Sequence, residues 1–268
     1  MAHNPTPAAQ DTGSRITSTF SNWLPAAIFI VALIALWEVL ARVLHVQSWL
    51  LPTPGDVASE LINSFSLQME QAWITLQEIL IGFVLAGLLG ALLAAAISWS
   101  KVIERSLYPI VIASQTIPII TLAPLLLIWV GPEMTSKIIV VVLISFFPVV
   151  VSLVDGLKSA DEDMTSMMRT LGASKVQLLV KLKLPASLPH LFSGLKVAAV
   201  TSVIGAVVGE WVGGRGGLGW LMKVSGPQFK TDRVFAAIFV LSVIAVLLFA
   251  LVVTIERWAL RHHGPAGR

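Results

Sequence analysis

Long hydrophobic runs separated by short polar segments form the main pattern of this sequence. The runs lie at about residues 23–43, 73–99, 107–128, 137–153, 191–211 and 234–258. A helix needs about 20 predominantly apolar residues to cross the hydrocarbon core of a bilayer. In lipid every backbone polar group must be paired within the protein, and a helix pairs them within its own segment. The pattern therefore predicts an all-α fold, a polytopic transmembrane helical bundle of six spans that forms one domain over residues 23–260.

A polar loop over residues 155–189 interrupts these runs and carries a periodicity of its own. Its apolar positions recur at i, i+3, i+4 and i+7, which are Met164, Met167, Met168 and Leu171. This spacing places the four side chains in one narrow stripe along a short helix. Such a stripe on a helix outside the bilayer indicates a contact surface.

The loop also contains start and stop signals for two helices. Ser159–Glu162 has the spacing of a capping box, which predicts the start of the first helix. Gly172 supplies a left-handed stop for that helix. Ser174–Gln177 repeats the capping box and predicts a second helix, which we expect to end at Leu184–Pro185.

The spacing of the loop resembles a known motif, the EAA loop of ABC-importer permeases, whose pattern is EAA-x3-G-x9-I-x-L-P. The matching positions are Gly172, Leu182, Leu184 and Pro185. The three opening positions depart from the pattern, since they hold Ser166, Met167 and Met168. The departure removes the glutamate with which the family's loop usually opens, so this loop is expected to rely more on apolar contact.

Other segments extend the resemblance over roughly residues 23–260. They are Leu51–Pro54, Pro124–Leu125 with Trp129 and Gly131, Gly209–Gly213, and Gly217–Gly219. These segments look like the branch of permeases for nitrate, sulfonates, taurine and pyrimidine-type vitamin precursors. The Val208–Trp211 and Phe146–Pro148 neighbourhoods look closer to the pyrimidine-precursor permeases.

The resemblance implies a type I ABC-importer permease in the bacterial cytoplasmic membrane. Two copies of the chain would form the pathway, two ABC ATPase subunits would dock on the loops, and a soluble binding protein would deliver the solute from outside. Alternating access would follow from closure of the ATPase. The residues expected to couple to the ATPase are Met164, Ser166, Met167, Met168, Leu171, Gly172, Leu182, Leu184 and Pro185.

The third hydrophobic run carries features of a helix that lines a pathway. Pro109, Pro118 and Pro124 interrupt the run, and Gln115 and Thr116 place polar groups at mid-depth. Broken transmembrane helices are tolerated where they are buried in protein or line a wet path. A kinked helix that only packs is the alternative. The candidate pathway residues are Gln115, Thr116, Pro118, Ser145 and Glu210.

Composition excludes several classes of function. The chain is 56% hydrophobic and 12% charged, whereas soluble domains carry about 25% charged residues. The net charge of +3 fits basic residues collected in cytoplasmic loops. No basic patch interleaved with aromatic residues supports nucleic-acid binding. The lack of cysteine excludes disulfides and thiolate metal sites.

No catalytic motif is present in the sequence. There is no P-loop, no H-E-x-x-H and no G-x-S-x-G, so ATP hydrolysis is expected on a partner chain, and we expect neither a cofactor nor a metal. The ionisable residues within the spans, Glu38, Glu78, Lys196 and Glu210, look scattered. The alternative function is a stand-alone, ion-coupled secondary transporter. That class predicts inverted repeats and mid-membrane charges, and neither is evident.

The distribution of basic residues predicts the orientation of the chain. Most lysines and arginines fall in segments that share a side with both termini and with the loop over residues 155–189. The positive-inside rule places that side in the cytoplasm. Residues 1–22 are expected to form a mobile cytoplasmic tail and residues 261–268 a basic one.

Overall fold

Helices form the architecture of residues 13–261, the part of the chain whose backbone the structure, a computed structural model, describes. Side chains are described for residue 25 and for residues 28–261. The helices are α1 (Gly13–Val43), α2 (Pro54–Asn63), α3 (Phe65–Trp99), α4 (Lys101–Ser114), α5 (Ile119–Val130), α6 (Met134–Lys158), α7 (Glu162–Thr170), α8 (Lys175–Leu178), α9 (Leu184–Gly213), α10 (Leu218–Ser225) and α11 (Thr231–Arg261). No strand occurs in this range.

The expected tails lie largely outside the described residues. Helix α1 begins at Gly13, ahead of the start expected at Trp23, and residues 1–12 are not described. The basic tail after Arg261 lies outside the described residues as well.

Helix α6 lies at the centre of the bundle, between α3 and α9. Its face towards α3 and α9 includes Val141, Val149 and Val150, which are fully buried. Helices α10 and α11 pack on the other side of α9. Together with α9 they enclose a second hydrophobic cluster, which includes Ala199 and Leu218. The core is therefore built from aliphatic side chains between closely spaced helices.

The small residues of α3 permit this close spacing. Gly82, Ala86, Gly90 and Ala94 are all buried. A Cβ atom at Gly82 would lie 2.4 Å from Val141 Cγ1, so no larger residue fits between α3 and α6 there. Close backbone approach replaces the hydrophobic driving force between helices in lipid.

Four helices within the described residues are long and apolar enough to cross a membrane. They are α3, α6, the continuous helix from Lys175 to Gly213, and α11. The pair α4 and α5 provides a fifth crossing if it is counted as one bent span. The sixth expected span coincides with α1, part of whose side chains lie outside the described set, so the count of six stays a prediction.

The third expected span is two helices rather than one kinked helix. Helix α4 ends at Ser114, α5 begins at Ile119, and the two axes are bent by 94°. Pro118 is the N-cap residue of α5. Because a residue before proline avoids the helical conformation, Pro118 prevents α4 from continuing.

The prediction that Pro185 ends the second helix of the loop is wrong. The chain passes from α8 through a π-helical turn, Leu179–Lys183, directly into α9. The N–H of Leu184 donates to the carbonyl of Leu179, five residues earlier. A proline ring clashes with the carbonyl four residues before it, and the wider turn relieves that clash. Pro185 thus forces a local change of helical type and not a stop.

The start of α7 differs from the predicted capping box. Asp161, and not Ser159, is the N-cap residue, and its side chain accepts hydrogen bonds from the N–H groups of Asp163 and Met164. The other two signals are confirmed. Gly172, which follows the C-cap residue Leu171 of α7, has a φ of +82°, and Ser174 with Gln177 forms a complete capping box at the start of α8.

Candidate coupling surface and translocation pathway

Helix α7 presents the predicted apolar stripe to its surroundings. Met164, Met167 and Leu171 are 49%, 61% and 75% exposed, and Met168 is half-buried. The helix buries none of its side chains. Exposed apolar side chains in a contiguous stripe mark an interaction site. The stripe is therefore an exposed apolar surface of the chain.

The two ends of α7 fix the direction in which the stripe faces. Asp161 pairs the free N–H groups of the first turn at 2.8 and 3.3 Å. At the other end Gly172 takes a positive φ that side chains rarely adopt, and a Cβ atom there would meet nothing within 4 Å. Gly172 is thus required by the backbone turn and not by packing. Ser166 is exposed between these ends and carries no carboxylate.

The second half of the motif lies in the long helix that follows. Leu182 is half-buried in the π-helical turn, while Leu184 and Pro185 are exposed at the start of α9. These residues connect the loop to the membrane helix without a break.

The predicted polar residues of the third span lie at the bend between α4 and α5. Gln115, Thr116 and Pro118 are all exposed. The Thr116 hydroxyl donates to the Ala113 carbonyl at 2.7 Å, which pairs one polar group at the end of α4. The bend therefore presents neutral polar atoms at a break in a membrane helix.

Ser145 and Glu210 lie elsewhere, inside the chain. Both are fully buried. Ser145 sits between α6 and α9, where its Oγ accepts a hydrogen bond of 3.3 Å from Thr201. The chain itself therefore encloses Ser145 and Glu210, whereas Gln115, Thr116 and Pro118 are exposed at the bend.

Glu210 belongs to a buried polar network that links α9 to α3. Its Oε1 accepts from the Thr75 hydroxyl at 2.6 Å, and its Oε2 accepts from the Gly219 N–H at 2.5 Å. Thr75 in turn accepts from the Leu218 N–H at 2.8 Å, and Gln71 accepts from the Gly217 N–H at 2.7 Å. The backbone of the segment between α9 and α10 is thereby pinned to one face of α3.

A buried ion pair adjoins this network. Lys137 Nζ on α6 donates to Glu78 Oε1 on α3 at 2.8 Å, and both side chains are almost completely enclosed. Electrostatic interactions connect Glu210 to both of them. A buried charge is tolerated when it is paired and hydrogen-bonded. Three helices therefore meet at one cluster of charges.

The expectation that the ionisable residues of the spans are scattered is wrong for Glu78 and Glu210. The sequence pattern contained a signal for the cluster, because four polar residues at helical spacing follow one face of the first half of α3. They are Gln68, Gln71, Thr75 and Glu78, and all four are buried. Lys137 carried no such signal.

Within residues 13–261 no group of His, Cys, Asp and Glu side chains could hold a metal ion.

The chain is similar to one protein family over most of its length. Residues 84–261 match the family described as "Binding-protein-dependent transport system inner membrane component". The matched range begins within α3 and includes the bend, α7, the π-helical turn, Lys137 and Glu210, but not Gln71, Thr75 or Glu78.

Three relatives illustrate the range of the family. The chain is 41% identical to the formylaminopyrimidine transport permease protein ThiX of Halalkalibacterium halodurans, over 87% of this chain and 93% of that protein. It is 32% identical to the riboflavin transport system permease protein RibX of Chloroflexus aurantiacus, over 87% and 88%. It is 29% identical to the taurine transport system permease protein TauC of Escherichia coli, over 82% of each.

Solved structures share the fold at lower identity. The MetNI methionine ABC transporter in an inward-facing conformation matches with a TM-score of 0.65 at 20% identity, over 73% of this chain and 97% of that one. An amino acid ABC transporter matches with a TM-score of 0.59 at 17% identity, over 75% and 96%. The helical arrangement described above is therefore that of ABC-importer permeases.

Proposed function

The chain belongs to the family of binding-protein-dependent transport system inner membrane components, and we propose that its solute is an uncharged, pyrimidine-type vitamin precursor. As a member of this family it is a membrane-spanning permease subunit of an ABC importer. It is not an enzyme, since the ATPase of such importers is a separate subunit. Membership of this family favours an ABC-importer subunit over the alternative of a stand-alone secondary transporter.

Sequence similarity is the main support for the proposed solute. Identity is 41% with the formylaminopyrimidine permease, 29% with the taurine permease, and 24% with the nitrate import permease protein NrtB of Synechococcus elongatus. The riboflavin permease, whose named solute is also a nitrogen heterocycle, lies between them at 32%.

The chemistry of the bent span supports the same choice. No charged residue and no histidine occurs from Ser106 to Pro132. The polar groups at the bend are an amide and a hydroxyl, Gln115 and Thr116, which can donate and accept hydrogen bonds. Nitrate and sulfonates are anions, and at the bend they would lose their hydration without meeting a positive charge. A neutral aminopyrimidine would still find hydrogen-bond partners at the bend.

Uptake by the complete importer tests the proposed solute. Cells that express the permease with its ATPase and its binding protein should accumulate labelled formylaminopyrimidine in an ATP-dependent way. Excess unlabelled formylaminopyrimidine should compete, and excess taurine or nitrate should not. Accumulation of labelled taurine or nitrate, with no accumulation of the pyrimidine, would refute the proposal.

The α7 stripe is the proposed docking surface for the ATPase. Its support is the combination of exposed Met164, Met167 and Leu171 with the fixed turn at Gly172. Burying side chains of this size contributes about 1.5–3 kcal/mol each, so the stripe can supply most of the docking free energy. The continuous helix from α8 into α9 then carries the motion of the ATPase into the membrane.

The complete importer is proposed to hold two copies of the permease and two of the ATPase. The support is that this chain carries its own coupling loop and has extended apolar faces on α4 and α5, including Ile112, Ile120 and Trp129. Native mass spectrometry of the purified complex would show the two-to-two composition. A second, different permease chain in the complex would refute the homodimer.

The proposed orientation places both termini and α7 in the cytoplasm. Its support is the concentration of lysine and arginine at the α7 end of the bundle. Reporter fusions at either terminus should be active on the cytoplasmic side, and activity on the opposite side would reverse the assignment.

A further inference from the structure

A cavity of about 340 Å³ opens at the end of the bundle that carries α7. It lies where the junction of α3 and α4 meets the end of α6, the α7 helix and the start of α8. Its charged lining consists of five cations and one acid, Lys101, Lys158, Arg169, Lys175, Lys183 and Glu104. The cavity is large enough for a phosphate group with a small organic substituent.

The positive charge of the lining is largely uncompensated. Lys158 Nζ lies 2.6 Å from Glu104 Oε1, so this pair neutralises itself. The remaining cations, Lys101, Arg169, Lys175 and Lys183, form no ion pair within residues 13–261. Four like charges around one concave surface repel one another, and an anion between them relieves that repulsion.

Neutral donors of the lining suit an oxyanion. The hydroxyl oxygen of Ser98 is buried and has no hydrogen-bond partner among the described residues. Ser100 is the N-cap residue of α4, so the positive end of that helix faces the same cavity. Phosphate oxygens accept hydrogen bonds from such hydroxyl and N–H groups as well as from lysine and arginine.

The depth of the cavity points to the membrane surface. Trp99, the last residue of α3, lines the cavity and is half exposed. Tryptophan is enriched at the level of the lipid head groups. Basic pockets between transmembrane helices at this level bind the head groups of anionic lipids.

We propose that this cavity binds a phosphate-bearing anion, supplied by the head group of an anionic phospholipid. The anion is distinct from the transported solute. Helix α7 buries no side chain of its own, yet it contributes Arg169 to the lining. An anion bound jointly by Arg169 of α7, Lys101 of α4 and Lys175 of α8 connects α7 to the membrane-spanning helices. The anionic lipid then stiffens the connection through which the ATPase moves α9.

A charge-matched pair of variants isolates the site. The cavity variant is Lys101→Gln with Lys183→Gln. The control variant is Arg105→Gln with Lys181→Gln, which removes the same charge from the same two segments at positions that do not line the cavity. Each protein is purified at full length with its ATPase and titrated with phosphatidylglycerol or phosphatidylcholine. Bound lipid is counted by native mass spectrometry.

Wild type and control should retain phosphatidylglycerol in preference to phosphatidylcholine. The cavity variant should need about 30-fold more phosphatidylglycerol for half-occupancy, because each basic residue near an anionic lipid contributes about a fivefold gain in binding. A second arm titrates inorganic phosphate. Phosphate that binds with the same dependence on the two lysines, while phosphatidylglycerol does not, would support the phosphate chemistry with a soluble source.

Two results would overturn the proposal. Equal retention of phosphatidylglycerol by all three proteins, with no phosphate binding, would show that the lysines hold no anion. Loss of the ATPase from the cavity variant, with lipid retention unchanged, would show that the cations contact the ATPase and not a phosphate.

Discussion

The carboxylate of Glu210 on α9 accepts a hydrogen bond of 2.6 Å from the hydroxyl of Thr75 on α3, across 135 residues of chain. Both side chains are fully buried. The same hydroxyl accepts from the Leu218 N–H, so one threonine fixes both the end of α9 and the start of α10. The segment between these helices is therefore part of the folded core and not a free loop.

Replacing Thr75 by valine should destabilise the permease. The change removes the donor to Glu210 and the acceptor for Leu218 while preserving side-chain volume. Each buried polar group left unpaired costs about 1–3 kcal/mol. The midpoint of thermal unfolding in detergent should fall clearly below that of wild type. Thr254→Val is the matched control, since Thr254 is exposed on α11 and bonds to its own helix. Equal midpoints for the two variants would contradict the role of the network.

Removing Lys137 should destabilise the chain more than removing the whole ion pair. Lys137→Met leaves the Glu78 carboxylate buried without its partner, which costs roughly 3–5 kcal/mol. Adding Glu78→Gln to this variant removes the orphaned charge and should restore part of the lost stability. The check is the yield of monodisperse protein and its unfolding midpoint. A double variant less stable than Lys137→Met would show that the pair does not act as a unit.

Gly217→Ala should disrupt the segment between α9 and α10. Gly217 has a φ of +102°, and a Cβ atom there would lie 2.0 Å from Glu210 Oε1. Gly131→Ala separates the two causes, because Gly131 has a φ of +93° but a Cβ atom there would meet nothing within 4 Å. The Gly131 variant should lose only about 1 kcal/mol through backbone strain. Comparable losses in both variants, measured by thermal unfolding, would assign the effect to strain alone.

A charge in the α7 stripe should prevent docking of the ATPase. Met167 is the more exposed of the two central methionines, and Met167→Asp would bury an unpaired carboxylate in the interface. Recovery of the ATPase in a pull-down should be abolished at normal membrane levels of the permease. Met168→Asp should have a weaker effect because Met168 is half-buried. Val102→Asp, at an exposed apolar position on α4 at the same end of the bundle, should bind the ATPase normally. Full recovery with Met167→Asp would show that the stripe faces something else.

Single cysteines should separate pathway residues from packing residues. The chain has no native cysteine, so each introduced thiol is the sole target of a membrane-impermeant reagent. Gln115→Cys and Thr116→Cys should react at rates that depend on the nucleotide state of the ATPase. Ser145→Cys should stay unreactive because that position is fully buried against Thr201. If the thiol at residue 145 reacts and those at residues 115 and 116 do not, the pathway passes Ser145 and not the bend between α4 and α5.

The sequence by itself determined the features that depend on neighbouring residues. Hydropathy indicates the long helices α3, α6, α9 and α11, because an apolar run of sufficient length has one stable state in lipid. The Met164–Leu171 stripe, the turn at Gly172 and the capping box at Ser174 follow from spacing within one or two helical turns. The spacing of Gly82, Ala86, Gly90 and Ala94 places small residues on one face of α3, but that spacing does not show that Val141 and Val149 of α6 fill the space.

Only the tertiary structure decided which distant groups meet. Glu78, Lys137 and Glu210 lie on three helices, and their contact depends on the rotation and depth of each helix in the bundle. The burial of Ser145 depends in the same way on what packs beside it. Pro185 shows the limit of local rules, since a proline that usually stops a helix is accommodated by a π-helical turn. Helical spacing fixes a face, but the neighbours that meet that face are set by packing across the whole chain.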